Sequence, residues 1–277
     1  MSYYTVLGLS REPFSTSPDP AFFFRSSSHM QALTRLEIAI RLRRGLSLIL
    51  GDVGTGKTTL ARTLLSSFPQ EDGFAFHMIL DPSFESEYQF LLQLSRMFGL
   101  PPAKSTLDCR EAIEHHLFQS GVAEGKTTVL LVDEGQKLSA DMLENLRVLL
   151  NYETNEFKLL QVVIFAQMEL LGRLARIKNF IDRVALKYII NPLSEDEVAQ
   201  MLRFRLASAG LPDGRALFTP EAVRAIHRFT QGYPRQIALL CHNALEALVM
   251  HERPMVDDTL IGELVHDESR WLHEAHA

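Results

Sequence analysis

The residues with the clearest chemical meaning in this sequence form one glycine-rich run. Residues 51–58 read Gly-Asp-Val-Gly-Thr-Gly-Lys-Thr, which satisfies the pattern G-x-x-x-x-G-K-S/T between a strand-like and a helix-like segment. Glycines let backbone N–H groups turn toward phosphates, the lysine reaches the outer phosphates, and the last hydroxyl can bind Mg²⁺. The run predicts a loop for ATP and Mg²⁺, formed by Gly51, Asp52, Val53, Gly54, Thr55, Gly56, Lys57, Thr58 and Thr59.

A second chemical signal is a pair of acids, Asp133 and Glu134, directly after the apolar residues 129–132. The carboxyl ends of parallel strands gather ligands at one sheet edge. Asp133 is therefore predicted to bind the metal beside Thr58, and Glu134 to orient or deprotonate the attacking water. An apolar run followed by Asp-Glu is by itself a common strand end, and only the phosphate loop makes the catalytic interpretation specific.

Other polar residues are candidates to complete this site. Gln167 ends a later apolar run and could sense the γ-phosphate or its water, although a strand-end glutamine without a catalytic role is the alternative. Arg235 lies at the start of a predicted helix, and Arg183 precedes the last predicted strand. Surface ion pairs are the alternative for both arginines, and for the nearby Arg173 and Arg176.

Two other segments partly match the patterns of a phosphate loop and of a metal site. Residues 121–127 end in Gly-Lys-Thr, but they have one residue too few between their glycines and precede a predicted strand, so a solvated loop is favoured. Cys109, Glu111, His115 and His116 fall within two helical turns. Adjacent histidines on a helix point in different directions, so a metal site is not predicted there.

Composition and charge restrict the class of protein. The chain has 277 residues, of which 46% are hydrophobic and 22% charged, as in ordinary globular proteins. The net charge of −6 provides no global positive field for nucleic acid. A local basic cluster remains. The favoured interpretation is the solvated side of a helix, and the alternative is a nucleic-acid contact. Its members are Arg35, Arg41, Arg43 and Arg44.

Cysteine usage and the absence of long apolar runs indicate a cytoplasmic chain. Cys109 and Cys241 match no disulfide or zinc spacing, which fits a reducing compartment. The N-terminus does not resemble a signal peptide, and no run approaches about 18 apolar residues. We expect neither export nor direct membrane insertion.

The apolar pattern predicts an α/β core followed by a small helical domain. Five short runs, expected to be strands buried on both faces, cover residues 46–50, 74–80, 128–132, 160–165 and 184–190. Helix-period segments alternate with them, which predicts a parallel five-stranded sheet sandwiched by helices, as in P-loop NTPases. Ser194 and Glu197 form a capping-box pattern that starts an all-helical stretch. The predicted domains are 1–193, including an N-terminal segment and helix over 1–44, and a helical lid over 194–277.

The sequence resembles, over almost its whole length, the ExeA or general-secretion-protein-A group of AAA+ ATPases, which is related to TniB-type transposition ATPases. The motifs that carry the resemblance are Gly8-Leu9, Glu12-Pro13-Phe14, Ser17-Pro18-Asp19-Pro20, Phe23, His29 and Gly232-Tyr233-Pro234-Arg235-Gln236-Ile237. The resemblance implies that residues 20–29, including His29, lie around the adenine with Pro234 and Ile237. It also implies that Arg235 is the second sensor and Arg183 the arginine finger.

The sequence departs from this group in two respects. Residues 166–169 read Ala-Gln-Met-Glu where the group usually has Gly-Gln-Pro-Glu. The membrane segment and peptidoglycan-binding domain of the secretion members do not occur in this sequence. We therefore expect this chain to share the ATPase core of the group, but not its role at the cell wall.

Three functions are compatible with these observations. The resemblance favours an oligomeric motor, a ring or filament that serves a secretion, pilus or exopolysaccharide system through a protein partner and reaches the inner membrane only through that partner. A DNA-binding ATPase for target selection in transposition is the alternative that the Arg35 to Arg44 cluster motivates. A nucleotide-gated switch with little turnover is the third, and Glu134 argues against it.

Overall fold

The computed structural model describes residues 2–17, 19–69, 73–177, 179–212 and 215–275. Within these ranges the chain forms two compact units. The α/β unit contains residues 27–53 and 57–190, and the helical unit contains the described residues of 1–26, 54–56 and 191–277. No helix among the described residues is both long enough and apolar enough to cross a membrane.

The α/β unit is built on five parallel strands. They are β1 Leu46–Leu50, β2 Phe74–Ile79, β3 Thr127–Val132, β4 Leu160–Ala166 and β5 Val184–Ile189. Their order in the sheet is β2-β3-β4-β1-β5, so β1 lies between β4 and β5. The predicted fold class, a parallel five-stranded sheet flanked by helices with further helices after it, is confirmed.

Helices connect the strands and form the helical unit. In chain order they are α1 Tyr3–Val6, α2 Ser27–Arg41, α3 Lys57–Ser67, α4 Glu87–Met97, α5 Thr106–Phe118, α6 Ala140–Leu149, α7 Leu170–Leu174, α8 Glu195–Ser208, α9 Pro220–Thr230, α10 Pro234–Met250 and α11 Asp258–Ala275. Side chains cap several N-termini, among them Ser86 on α4 and Ser139 on α6. Ser194 and Glu197 form the predicted capping box at the start of α8.

Burial differs between the central and the edge strands. All residues of β1, β3 and β4 are buried. Only Ile79 is fully buried in β2, and β5 alternates between buried or half-buried and exposed positions. The prediction that all five strands are buried on both faces was wrong for β2 and β5, because an edge strand has a neighbour on one side only.

The N-terminal residues pack with the helical unit. Leu7, Leu9, Phe14 and Phe22 are buried in one apolar cluster with residues of α8, α9 and α10. A polar contact adds to this packing: the Arg205 guanidinium donates a hydrogen bond to the carbonyl oxygen of Ser15. The described residues of 1–26 therefore group with the helical unit, which also contains residues from 191 onward.

Candidate functional site

The glycine-rich loop connects β1 to α3. The strand ends at Leu50 and the helix begins at Lys57, so backbone N–H groups of the first helical turn face the loop, as an anion site requires. The Lys57 ammonium donates to the carbonyl oxygens of Gly51 and Asp52 at 2.8 and 2.9 Å. Burial lowers the pKa of Lys57, and the nearby carboxylates of Glu134 and Asp133 oppose that shift. Loss of solvent makes this ammonium depend on anionic partners.

The first two motifs meet at the carboxyl end of β3. The Thr58 hydroxyl donates to Asp133 Oδ2 at 2.6 Å, and Asp133 Oδ1 accepts from the backbone N–H of Glu134 at 3.0 Å. Asp133 is only 3% exposed. Burial raises its pKa, and the Thr58 hydrogen bond counteracts part of that effect. A hydroxyl and a carboxylate are the oxygen ligands that Mg²⁺ prefers, so this pair fits the predicted metal.

Glu134 lies in a turn with a left-handed backbone, at φ 51° and ψ 36°. For a non-glycine residue this conformation costs about 1 kcal/mol or more, and such residues cluster at functional sites. Its Oε2 accepts a hydrogen bond from Gln136 Nε2 at 2.5 Å. Gln136 belongs to none of the predicted motifs, and its only signal in the sequence is an amide side chain two residues after Glu134.

Gln167 follows the end of β4. Its backbone N–H donates to Gln136 Oε1 at 3.1 Å, and its side chain is half-buried. Gln136 therefore connects the residue after β4 to Glu134 after β3. The predicted residues Lys57, Thr58, Asp133 and Glu134 are thus brought together with the backbone of Gln167 in the α/β unit. The remaining loop residues differ in exposure, and Thr59 is half-buried in the first turn of α3.

The three candidate finger arginines differ in their surroundings. The Arg173 guanidinium donates to the carbonyl oxygen of Leu138 at 2.9 Å, which engages it within its own chain. Arg176 is exposed. Arg183 is half-buried in the 3-10 turn Ile181–Arg183, directly before β5.

The residues implied for the adenine fall in different units. His29 is buried in the first turn of α2, in the α/β unit. Pro234 begins α10 in the helical unit, Arg235 follows it with an exposed side chain, and Ile237 is fully buried in the helical core. The backbone N–H of Arg235 donates to the carbonyl oxygen of Gly54, which also belongs to the helical unit, at 3.3 Å.

Residues 121–127 and the cluster from Cys109 to His116 are the two segments that partly match a phosphate loop and a metal site. Residues 122–126 are exposed, as expected of a loop, but the segment begins in a π-helical turn, Gln119–Ala123, and Gly121 is buried. Lys126 forms an exposed ion pair with Glu124. Within the described ranges, no three His, Cys, Asp or Glu side chains are placed to hold a metal.

The Arg35 to Arg44 cluster packs on aromatic rings. Arg35 lies over Tyr188 at 5.3 Å, Arg41 over Phe68 at 4.8 Å, and Arg43 over Phe157 at 4.2 Å from the ring centroid. Arg43 also donates to the carbonyl oxygen of Gly125. Arg35, Arg41 and Arg44 are exposed, as expected of a solvated face, and Arg43 is half-buried. Since α2 ends at Arg41, Arg43 and Arg44 lie just past the helix. Guanidinium groups stack well on aromatic faces, so three of the four side chains are also held by rings of this chain.

Comparison with known proteins identifies the kind of domain. Residues 40–174 match the AAA domain family. The chain is 40% identical over 249 residues to general secretion pathway protein A of Aeromonas hydrophila, a match that covers 88% of this chain. It spans 44% of the length of that relative. The resemblance stated from the sequence motifs is confirmed.

Solved structures share the fold at low identity. The Aeropyrum pernix ORC2 protein in its ADPNP–ADP complexes has a TM-score of 0.65 and 18% identity, over 93% of this chain and 71% of that one. Cdc6p from Pyrobaculum aerophilum has a TM-score of 0.67 and 20% identity, over 88% and 67%. Drosophila ORC bound to DNA has a TM-score of 0.63 and 22% identity, over 92% and 65%. At these identities the likeness shows the fold alone.

Proposed function

Because this chain carries an AAA domain on an AAA+ fold and resembles general secretion pathway protein A, we propose that it binds Mg-ATP at residues 51–59 and hydrolyses it. One observation carries the proposal. The Thr58 hydroxyl and the Asp133 carboxylate, 75 residues apart in sequence, lie 2.6 Å apart beside the buried Lys57 ammonium. Two motifs that are far apart in sequence thus converge in space.

Each residue has a distinct role in the proposed reaction. The loop N–H groups and the Lys57 ammonium bind the phosphates. The phosphates in turn are the anionic partners that the buried Lys57 ammonium needs. Thr58 and Asp133 hold Mg²⁺, which when bound neutralises charge on the phosphate oxygens. Glu134 orients the attacking water and accepts its proton. Gln167 senses the γ-phosphate or its water.

Further residues make turnover depend on conformation and assembly. Within the α/β unit, His29 contributes to the adenine environment. Arg235 acts as the second sensor, at the start of α10. The family resemblance assigns Arg183 to the nucleotide of a neighbouring subunit, and Arg173 is the weaker candidate because it already donates to a carbonyl of its own chain.

In the biological role that we propose, the chain is an oligomeric motor, a ring or filament that serves a secretion, pilus or exopolysaccharide system by contacting a protein partner. The likeness to general secretion pathway protein A supports it. The chain would act in the cytoplasm and reach the inner membrane only through that partner.

Binding to duplex DNA is the second candidate. One structural neighbour, the Aeropyrum pernix ORC1 protein, was solved in complex with DNA. Against this function, three arginines of the cluster that motivated it stack on aromatic rings of this chain. Duplex DNA affinity that falls steeply with salt would favour the second candidate over the motor.

The test of nucleotide function compares two lysines that each precede a threonine in a Gly-Lys-Thr sequence. ATP binding by calorimetry and phosphate release are measured for the parent, Lys57→Ala and Lys126→Ala. We expect Lys57→Ala to lose measurable binding and Lys126→Ala to match the parent, since Lys126 only pairs with the exposed Glu124. Equal ATP affinity in all three proteins would contradict the proposal, as would a parent without phosphate release.

A further inference from the structure

Gln136 is a buried amide with both ends engaged. It lies in the 3-10 turn Gly135–Lys137 directly after Glu134 and is 8% exposed. Its Nε2 donates to Glu134 Oε2 at 2.5 Å, and its Oε1 accepts from the backbone N–H of Gln167 at 3.1 Å. A single side chain thus spans the ends of β3 and β4.

The hydrogen-bonding partners determine which way this amide faces. A backbone N–H can only donate, so the atom facing Gln167 must be the oxygen. A carboxylate accepts, so the atom facing Glu134 must be the nitrogen. Each partner independently requires the same orientation, which leaves the amide one arrangement. A hydrogen bond to an ionised acceptor is also stronger than one between neutral groups.

The turn that carries Gln136 is itself held tightly. Gly135 packs so closely on β4 that a Cβ there would lie 2.3 Å from Ile164 Cγ2. The Lys137 backbone N–H donates to the carbonyl oxygen of Glu134 at 2.8 Å. Because the Glu134 backbone is left-handed, its carboxylate direction depends on these surroundings.

We propose that Gln136 is a positioning residue, which holds the carboxylate of Glu134 and couples it to the backbone at Gln167. The inference rests on the proposed role of Glu134 as the group that activates water. Only one carboxylate oxygen accepts from Gln136, so the other is available to the water. A shift of the chain after β4 is transmitted through the amide to Glu134, which links the strand end at residue 167 to the hydrolytic group.

Gln161 is the matched control. It is also a buried glutamine in this sheet, at the opposite end of β4, and its amide bridges the backbone N–H of Gly45 and the carbonyl oxygen of Lys158. It contacts no residue of the proposed site. A glutamine that serves only to stabilise the sheet should therefore behave like Gln161.

The first measurement separates kcat from KM. Gln136→Met keeps the length of the side chain and removes both hydrogen bonds. We expect kcat to fall roughly tenfold to a hundredfold, since misplacement of a catalytic group by about 1 Å has that effect, while KM for ATP and nucleotide affinity stay within about twofold. Gln161→Met should lower the melting temperature and leave kcat unchanged. A parental kcat in Gln136→Met, or an equal loss of kcat in both variants, would overturn the proposal.

The second measurement does not depend on turnover, and its first comparison, between the parent and Glu134→Ala, needs no Gln136 variant. In ¹⁵N-labelled protein, Glu134→Ala should shift the Gln136 side-chain amide signal and, through it, the backbone signal of Gln167. The Gln167 shift should shrink in a Gln136→Met background, as a double-mutant cycle requires for coupling. An unchanged Gln136 amide signal in Glu134→Ala would refute the contact. Coupling in a parent that lacks ATPase activity would instead refute the proposed function, with the link from Glu134 through Gln136 to Gln167 still in place.

Discussion

Gly54 and Arg235 form a close backbone contact. The Arg235 N–H donates to the Gly54 carbonyl oxygen at 3.3 Å, and a Cβ added to Gly54 would lie 3.0 Å from the Arg235 Cβ. Gly54 also has a left-handed φ of 84°, which L side chains rarely adopt. The middle of the phosphate loop therefore has both the conformation and the space of a glycine, next to the first turn of α10.

Since the backbone of Arg235 contacts the phosphate loop at Gly54, its side chain is the candidate for sensing bound nucleotide. In Arg235→Ala we expect ATP to bind, but ATP-induced protection from protease to be lost, because the guanidinium makes the closed conformation depend on the γ-phosphate. Arg228→Ala is the control, since Arg228 lies in α9 over the ring of Phe229. Limited proteolysis with and without an ATP analogue measures the effect, and equal protection in Arg235→Ala and parent would count against the sensor role.

Glu134→Gln should separate binding from hydrolysis. The amide keeps the size of the side chain and can hold a water, but it cannot accept the water's proton. We expect ATP affinity close to that of the parent and a turnover lower by about 10²-fold or more, the usual contribution of a positioned base. Calorimetry and single-turnover phosphate release check both parts, and normal turnover would remove Glu134 from the mechanism.

Metal binding at Asp133 should depend on pH. Burial raises the pKa of Asp133, and only the ionised carboxylate binds Mg²⁺. The gain in ATP affinity from Mg²⁺ should therefore be lost as pH falls through this raised pKa, at a higher pH than for an ordinary aspartate. Titrations with Mg²⁺ and with EDTA across a pH series isolate the metal-dependent part. In Asp133→Asn that part should be smaller at neutral pH than in the parent, and a metal-dependent part equal to that of the parent at every pH would exclude Asp133 as a ligand.

The same raised pKa has the opposite consequence for folding. An aspartate that is harder to ionise in the folded state than in the unfolded chain destabilises the fold at neutral pH. Its contribution to the free energy of unfolding should become more favourable as pH falls. Asp133→Asn should therefore be more stable than the parent at neutral pH, and this difference should shrink as pH falls, in denaturant titrations without nucleotide.

Gly232 is predicted to be intolerant of any side chain. Its φ is 76°, and a Cβ would lie 2.1 Å from the carbonyl oxygen of Leu193. The left-handed backbone alone costs roughly 1–2 kcal/mol for other residues, and the clash adds to it. We expect Gly232→Ala to lower the melting temperature by several degrees. In Gly262→Ala, within α11, a Cβ meets nothing within 4 Å, so the change should be neutral or stabilising.

Arg183 is expected to act across a subunit interface. Arg183→Ala should bind ATP but hydrolyse it poorly, because a finger stabilises charge on the transferring phosphoryl group. Lys57→Ala should not bind ATP but should still present its own Arg183. Mixing the two inactive variants should restore activity, and parental activity should rise more than linearly with protein concentration. If mixed assemblies form by light scattering and stay inactive, Arg176 becomes the next candidate.

Local spacing and periodicity determined the parts of this protein that short stretches of chain encode. The phosphate loop was predicted because its glycines, lysine and threonine lie within eight residues, between a strand and a helix that each fold from their own apolar pattern. The start of α8 was predicted for the same reason, since Ser194 and Glu197 are three residues apart. The α/β class with a parallel sheet followed from the alternation of such segments, and the AAA+ assignment followed from the resemblance of the motifs to a known family.

Only the tertiary structure decided what depends on distant neighbours. The apolar runs of β2 and β5 did not show that these two strands form the edges of the sheet. Strand order, β2-β3-β4-β1-β5, depends on the crossover connections between strands and not on the residues of any one strand. The described residues of 1–26 join the helical unit because Phe14 and Phe22 pack in its apolar cluster, where Phe14 meets the ring of Phe218 at 6.0 Å between centroids. Gln136 acquires its candidate role only where the ends of β3 and β4 lie side by side, since its second partner, the Gln167 N–H, is 31 residues away in sequence.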